Sequence, residues 1–309
     1  MGKGLKIKGY VYGILAAAFY GMNPLFALPL YADGMSTSSV LLLRYLLAIP
    51  AVGVLLTYRG QNFRINRGII LPMIILGLLM GFSSFSLFES YNYMAAGIAS
   101  TLLFVYPLLV AIIGTVVFRE RLGLSTGLAL CLAMCGIFLL YCGNPEGNLS
   151  LYGTILVMLS SLSYAIYIVW VNKGRVKKVP TLKVTFYVLL FGSSIFMAET
   201  IGKGTVEFPT TPLTWCSLAG LALLPTAASL IFTTLAIQEI GSTPAAILGV
   251  FEPLTALVIG IVVFHESVTL SDYSGMVLIL TSVILVIGGN SIAKHLIHNK
   301  KMFPRKHQK

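Results

Sequence analysis

"FEPLTALVIGIVVFHE" (251–266) and "VYPLLVAIIGTVVFRE" (105–120) align without a gap, with 8 of 16 positions identical. Each is an apolar run with a proline near its start, a glycine inside and a glutamate at its end: Pro253 and Pro107, Gly260 and Gly114, Glu266 and Glu120. One copy carries a second acid, Glu252, inside the run, where the other has Tyr106. A carboxylate near the centre of a bilayer costs about 3 kcal/mol on the mildest insertion scales, so its presence there asks for a reason.

The composition makes the bilayer the right frame. Of 309 residues, 57% are hydrophobic and 10% charged, against roughly 25% charged in an ordinary soluble domain. Such a chain has too little polar surface to face water. The net charge of +11 does not point to nucleic acid, because the basic residues sit in short clusters between apolar runs with no nucleic-acid motif. Their natural partners are anionic lipid headgroups.

A span needs about 20 mostly apolar residues. The chain offers ten, near 10–30, 38–57, 69–93, 97–118, 124–143, 151–171, 184–201, 213–237, 244–264 and 273–292, joined by short connections. With the N-terminus cytoplasmic, all of the 21 Lys and Arg residues except Arg44 and Lys203 fall on the cytoplasmic side. That is the asymmetry the positive-inside rule requires, and it places both termini in the cytoplasm. The four cysteines form no disulfide or metal pattern, and Cys131 and Cys135 read as small buried residues.

The twin motifs make the chain a duplication. "SYAIY" (163–167) echoes "FYGMN" (19–23) at nearly the same offset. Residues 1–146 then form one five-helix unit and 147–293 a second, followed by a basic cytoplasmic tail, 294–309. Five is odd, so the second unit enters the membrane from the opposite side. The expected fold is all-α and integral to the membrane, ten transmembrane helices in two inverted five-helix repeats. Inverted repeats are a mark of secondary transporters, whose site lies near the midplane between the halves.

These motifs, with Arg44 in "LLLRYLLA" (41–48), "AAAFYG" (16–21) and "SYNYMAAGIASTLLF" (90–104), resemble the drug/metabolite transporter superfamily, and within it the EamA-like transporters. The family often has Trp where this chain has Tyr20 and Tyr164. The resemblance implies transport of a small molecule, commonly export of amino acids or related metabolites, in a bacterial plasma (inner) membrane. No cofactor or metal is expected, and the protein is expected to be a monomer or homodimer; Glu252, from its depth in the span, is expected either to bind a cationic group of the substrate or to carry a coupling proton. Two other readings stay open. One is a nucleotide-sugar or sugar-phosphate carrier, which needs basic residues for phosphate although Arg44 alone lies within a span; the other is a pore or scaffold with no transport cycle.

Several residues qualify for the pathway. A proline inside a helix removes one N–H and frees the carbonyl four residues back. Pro24, Pro107 and Pro253 thereby free the carbonyls of Tyr20, Leu103 and Gly249, and Pro225 and Pro50 act likewise without counterparts. On a helical wheel Ala245, Gly249, Glu252, Ala256 and Gly260 share one face, and Ala99, Leu103, Tyr106, Val110 and Gly114 form the equivalent stripe. Tyr20 and Asn23 share a face of the first span, as do Tyr164 and Tyr167 of the sixth. Arg44 and Glu89 are the other ionisable residues within spans, the first read as a tie between helix ends or a partner of Glu252, the second as an interfacial acid or part of the pathway. All four histidines lie in loops or the tail, and no hydrolase, zincin or P-loop motif occurs, so enzymatic chemistry is not expected.

Overall fold

The computed structural model describes residues 3–94, 96–119, 123–142, 150–172, 175–264 and scattered positions between 270 and 285. Glu120, Glu266, the loop 143–149, most of the stretch 273–292 and the tail 294–309 lie outside the described residues.

Every regular element among the described residues is helical: α1 Lys3–Tyr20, α2 Asn23–Ala32, α3 Thr37–Tyr58, α4 Arg67–Ser90, α5 Ala96–Leu103, α6 Tyr106–Val116, α7 Leu124–Cys142, α8 Leu151–Val171, α9 Thr181–Lys203, α10 Pro212–Leu221, α11 Ser229–Ile240, α12 Ser242–Leu248 and α13 Phe251–Phe264. A π-helical turn, Ala222–Ala228, joins α10 to α11. Among the described residues, six stretches are long and apolar enough to cross a membrane: Ile7–Ala32, Thr37–Tyr58, Arg67–Ser90, Leu151–Val171, Thr181–Gly202 and Pro212–Ile240.

Local chemistry sets the helix ends. The Asn66 side chain accepts the Gly68 N–H at 3.1 Å to start α4, and the Ser150 hydroxyl accepts the Gly153 N–H at 3.3 Å to start α8. Thr211 and Thr214 form a reciprocal capping box at α10, with Pro212 at its first position. Gly204, at φ 77°, closes α9 in the left-handed conformation that glycine adopts without a Cβ penalty.

The centre is built from four unbroken helices. α4 packs against α8 and α9, and α3 packs against α9. Glycines let α4 and α9 meet backbone to backbone: a Cβ on Gly81 would stand 2.7 Å from the Gly192 oxygen and 3.1 Å from its Cα. Hydroxyls tie the same helices together. Ser160 donates to the Ser83 carbonyl at 2.7 Å, and the Tyr45 and Ser84 hydroxyls lie 3.1 Å apart. Pro50 sits within α3 and Pro72 within α4, yet both helices run on without a break.

Each end of the antiparallel α3–α9 pair is strapped by the loop that follows the other helix. After α3, the carbonyl of Phe63 accepts the Tyr187 hydroxyl, and Asn62 Oδ1 accepts Lys183 Nζ at 2.8 Å. After α9, the Glu207 carboxylate accepts the Ser36 N–H, and the Glu207 N–H donates to the Ser39 hydroxyl at 3.1 Å. One expectation is corrected: Cys131 and Cys135 are exposed rather than buried. They lie on an exposed face of α7, where a small, weakly polar thiol carries little desolvation cost.

Candidate functional site

Three helices break where the sequence places a proline. α1 stops at Tyr20 and α2 begins two residues before Pro24's neighbour Leu25, at Asn23; α5 stops at Leu103 and α6 begins at Tyr106, just ahead of Pro107; α12 stops at Leu248 and α13 begins at Phe251, two before Pro253. In each case the proline sits in the first turn of the second segment, where its missing N–H has no intrahelical partner to lose. The last two breaks fall at matching positions of the twin motifs.

The freed carbonyls find other partners. Ser161 of α8 donates its hydroxyl to the Leu103 carbonyl at 2.8 Å. The Gly249 carbonyl accepts the Glu252 N–H at 2.8 Å. Pro225 produces the π-helical turn, and Thr226 returns its hydroxyl to the Leu221 carbonyl at 2.7 Å. A break at membrane depth is tolerated when protein groups satisfy the backbone in this way.

Around these breaks lies a small cavity of about 20 Å³, lined by Tyr20, Tyr106, Tyr164 and Glu252, with Gly13, Ala16, Ala17, Ile168, Ser229, Thr233, Ala236, Ile237, Ala245 and Gly249. Tyr20 and Tyr164 are counterparts in the repeat, and their rings stack at 6.1 Å with an interplanar angle of 7°. Tyr106 meets Tyr164 edge-on at 4.8 Å. The Tyr106 hydroxyl rests directly over Gly249, where a Cβ would otherwise stand. Glu252, the repeat counterpart of Tyr106, is 4% exposed, and no described residue donates a hydrogen bond to its carboxylate. An ionised carboxylate without donors is costly away from water, which sets Glu252 apart from the other residues that line the cavity.

A second, smaller cavity of about 10 Å³ shares the Tyr20, Tyr164, Ser229 and Thr233 wall and is completed by Arg44, Tyr45, Met80, Leu189, Pro225, Thr226 and Leu230. Arg44 is 1% exposed. Its Nη1 reaches Asn23 Oδ1 at a long 3.4 Å, and its guanidinium carbon lies 4.7 Å from the Phe88 ring centroid and 5.7 Å from that of Tyr45. Arg44 Nε and Asn23 Nδ2 are buried without partners. Among the described residues Arg44 forms no ion pair with Glu252 or any other acid and donates to no helix-end carbonyl.

The remaining sequence candidates stand apart. Asn23 begins α2 beyond the break, accepts from Arg44 through its Oδ1, and lines neither cavity. Tyr167 stacks behind Tyr164 at 6.1 Å in the core, and Glu89 is half-buried near the end of α4; neither lines either cavity. Sequence reading missed Ser229 and Thr233, which line both cavities. Their signal was present: two hydroxyls one helical turn apart, directly after Pro225.

Comparison with known proteins agrees with this architecture. An "Uncharacterized transporter" of Archaeoglobus fulgidus is 30% identical over 213 residues, covering 67% of this chain and 75% of its own length. The "Uncharacterized transporter sll1319" of Synechocystis is 28% identical over 80% of this chain and 78% of its own. The "Uncharacterized inner membrane transporter YicL" of Salmonella typhimurium is 28% identical over 62% of this chain and 64% of its own. A solved crystal structure superposes with a TM-score of 0.75 at 16% identity, covering 93% of this chain and 98% of that one, which shows a shared fold. The EamA-like transporter family matches the chain twice, over residues 7–142 and again over 151–288, and the protein belongs to that family of membrane transporters.

Proposed function

We propose that the protein is a secondary active transporter that moves a small metabolite, an amino acid or related compound, by alternating access, in the direction of export. In this reading ten transmembrane helices form two inverted repeats, 1–146 and 147–293, with the tail 294–309 and both termini in the cytoplasm of a bacterial cell. Tyr20, Tyr106, Tyr164 and Glu252 form the substrate surface, Pro24, Pro107 and Pro253 supply the interruptions, and Glu252 holds either a coupling proton or a cationic group of the substrate.

One observation carries this reading: two pairs of repeat counterparts, Tyr20 with Tyr164 and Tyr106 with Glu252, converge on a single buried cavity beside the helix breaks. In transporters built from inverted repeats the site lies at the interface of the two halves, where counterparts meet. The symmetric tyrosines supply matching walls, and the Tyr106–Glu252 pair supplies a difference that suits an asymmetric cargo.

The test is saturable counterflow in proteoliposomes, with Glu252→Gln as the discriminating variant. Gln keeps shape and hydrogen-bonding capacity but cannot carry a proton or a charge. We expect Glu252→Gln to fold and insert while losing gradient-driven accumulation. Unchanged rate and unchanged pH dependence would remove Glu252 from the mechanism, and absence of saturable exchange would favour a pore or scaffold.

A further inference from the structure

We infer that the π-helical turn Ala222–Ala228 is a one-residue insertion carried by the second repeat alone, and that this extra residue lets the central cavities open. The inference rests on the transporter reading above and deepens it by naming the segment that gives the site its room. Cavities of about 20 and 10 Å³ have space for a water and not for a metabolite, so the site has to widen.

The register of the two repeats reveals the insertion. The N-caps Asn66 and Thr211, which start α4 and α10, are 145 positions apart. Beyond the turn the spacing is 146: Tyr106 matches Glu252, and Ser83 matches Ser229. Contacts identify Ser83 and Ser229 as counterparts independently. The Ser83 and Ser160 hydroxyls lie 3.0 Å apart between α4 and α8, and Ser229 donates to the Ala16 carbonyl at 2.9 Å between α11 and α1. Ala16 precedes Ser160 by 144 positions, the spacing that also relates Tyr20 to Tyr164. From cap to contact the first copy therefore counts 17 positions, Asn66 to Ser83, and the second 18, Thr211 to Ser229. A π-turn is how a helix absorbs one residue too many, and such turns are found mostly at functional sites.

The extra residue falls where the halves differ. In the first repeat α4 crosses α9 backbone to backbone through Gly81 and Gly192. By the same spacings their counterparts are Ala227, within the turn, and Ala48 of α3. At that second crossing Pro225, Thr226 and Ser229, with Arg44 and Tyr45 of α3, line the smaller cavity. A π-turn can pass its hydrogen bonds along by one residue, so the helix bends there without unravelling.

The backbone makes the insertion dispensable to the fold. In a π pattern each N–H bonds five residues back, so Pro225, which has none, leaves the Gly220 carbonyl without that donor. With Leu223 deleted, Pro225 stands four residues beyond Gly220, and an α pattern leaves the same carbonyl free. The Thr226 hydroxyl, now bonded to the Leu221 carbonyl five residues back, would make the ordinary four-residue bond of a helical threonine. Leu223 itself is half exposed and lines neither cavity.

The experiment places a thiol at Ser229, which is buried and lines both cavities, in protein whose Cys131, Cys135, Cys142 and Cys216 are replaced by alanine. Its reaction with N-ethylmaleimide is followed in membranes, since a thiol sealed from water forms too little thiolate to react. We expect Ser229→Cys to label in the chain of natural length, and roughly tenfold or more slowly once Leu223 is deleted, because local opening sets the rate. Leu223→Ala, which keeps the residue and loses its side chain, should label like the natural length. The deletion should melt at the same temperature or higher. Equal labelling with and without Leu223 overturns the inference, as does equal slowing by Leu223→Ala. A deletion variant that fails to fold also overturns it, because the residue would then serve the fold. No labelling at either length overturns it too, while saturable exchange in proteoliposomes would keep the transporter reading. The expected labelling difference without any saturable exchange would remove that reading and leave the turn its part in opening the cavity.

Discussion

The four unbroken helices α3, α4, α8 and α9 and the interrupted segments around them solve opposite problems with the same residue types. In the first group glycine brings two backbones together, as Gly81 does against Gly192, and serine closes the contact. In the second group glycine and serine serve a gap: Gly249 makes room for the Tyr106 hydroxyl, and Ser161 caps a carbonyl that a proline has released. Lipid supplies no hydrophobic force between helices, so packing and hydrogen bonding must hold the unbroken group. The interrupted group gives up some of that packing, and its reward is a cavity with unmatched polar atoms. On the function proposed above, stability resides in one group and transport in the other.

The sharpest way to break that division is to enlarge one glycine in each. Gly81→Val drives a side chain into the Gly192 backbone, which has no rotamer to move aside. Overpacking of this kind costs about 2 kcal/mol or more, so the melting temperature should fall while transport per folded molecule persists. Gly249→Ala meets chiefly the Tyr106 side chain, with the Ala246 carbonyl oxygen at 2.9 Å, at a backbone conformation (φ −54°, ψ −15°) that alanine adopts freely. Its melting temperature should fall less than that of Gly81→Val, while transport falls roughly tenfold or more because a displaced Tyr106 disturbs the site geometry. Adding Tyr106→Phe, which removes the obstructing hydroxyl, should recover part of that loss. If Gly81→Val abolishes transport without destabilising, or Gly249→Ala destabilises as much as Gly81→Val, the division fails.

A smaller effect tests the repair of a break. Ser161→Ala leaves the Leu103 carbonyl without its donor, at an expected cost of about 1 kcal/mol. Pro107→Ala restores an N–H four residues on and lets that carbonyl bond within its own helix. The two changes should therefore be coupled: in a double-mutant cycle read by thermal melting, Ser161→Ala should cost little once Pro107 is gone. Additive effects would mean that the serine serves some other group.

These contrasts explain what could be read from the chain. Pro107 and Pro253 announce their breaks because a missing N–H is a local property and the twin motif marks it twice. Pro50 does not announce its continuity: the same chemistry leaves α3 unbroken, because its neighbours hold the helix on both sides. Tyr20, Tyr164, Tyr106 and Glu252 were legible as repeat counterparts on helix faces. Tyr167 was not separable from Tyr164, since both share a face of α8 and only packing decides which one reaches the void. The gap between Arg44 and Glu252 was equally hidden. Two opposite charges in an apolar sequence suggest a pair, and only the fold shows the tyrosines between them. The glycine crossing of α4 and α9 joins residues more than a hundred positions apart, for which a single sequence has no signal.

The smallest expected effect concerns the strap where α3 begins and α9 ends, and it carries a sign. Thr210 donates its hydroxyl to one oxygen of Asp33 and its N–H to the other at 2.7 Å. These bonds favour the ionised carboxyl and hold it below the usual carboxylate range. A carboxyl depressed on folding contributes stability that is present above its unfolded value, near 4, and is lost as pH falls through the folded value. The strap should therefore be indifferent to pH between about 6 and 8 and loosen only in acid below about 4. Asp33→Asn removes the charge and one acceptor, so at pH 7 the amides of residues 204–211 should exchange with deuterium faster than in the unmodified protein. Below the folded value the two proteins should converge, because a protonated Asp33 and an asparagine offer Thr210 nearly the same neutral acceptor. A difference that persists in acid, or none at pH 7, would show that the ionised carboxyl does not hold this loop and that packing of the Ser36–Glu207 contact alone keeps α9 strapped to α3.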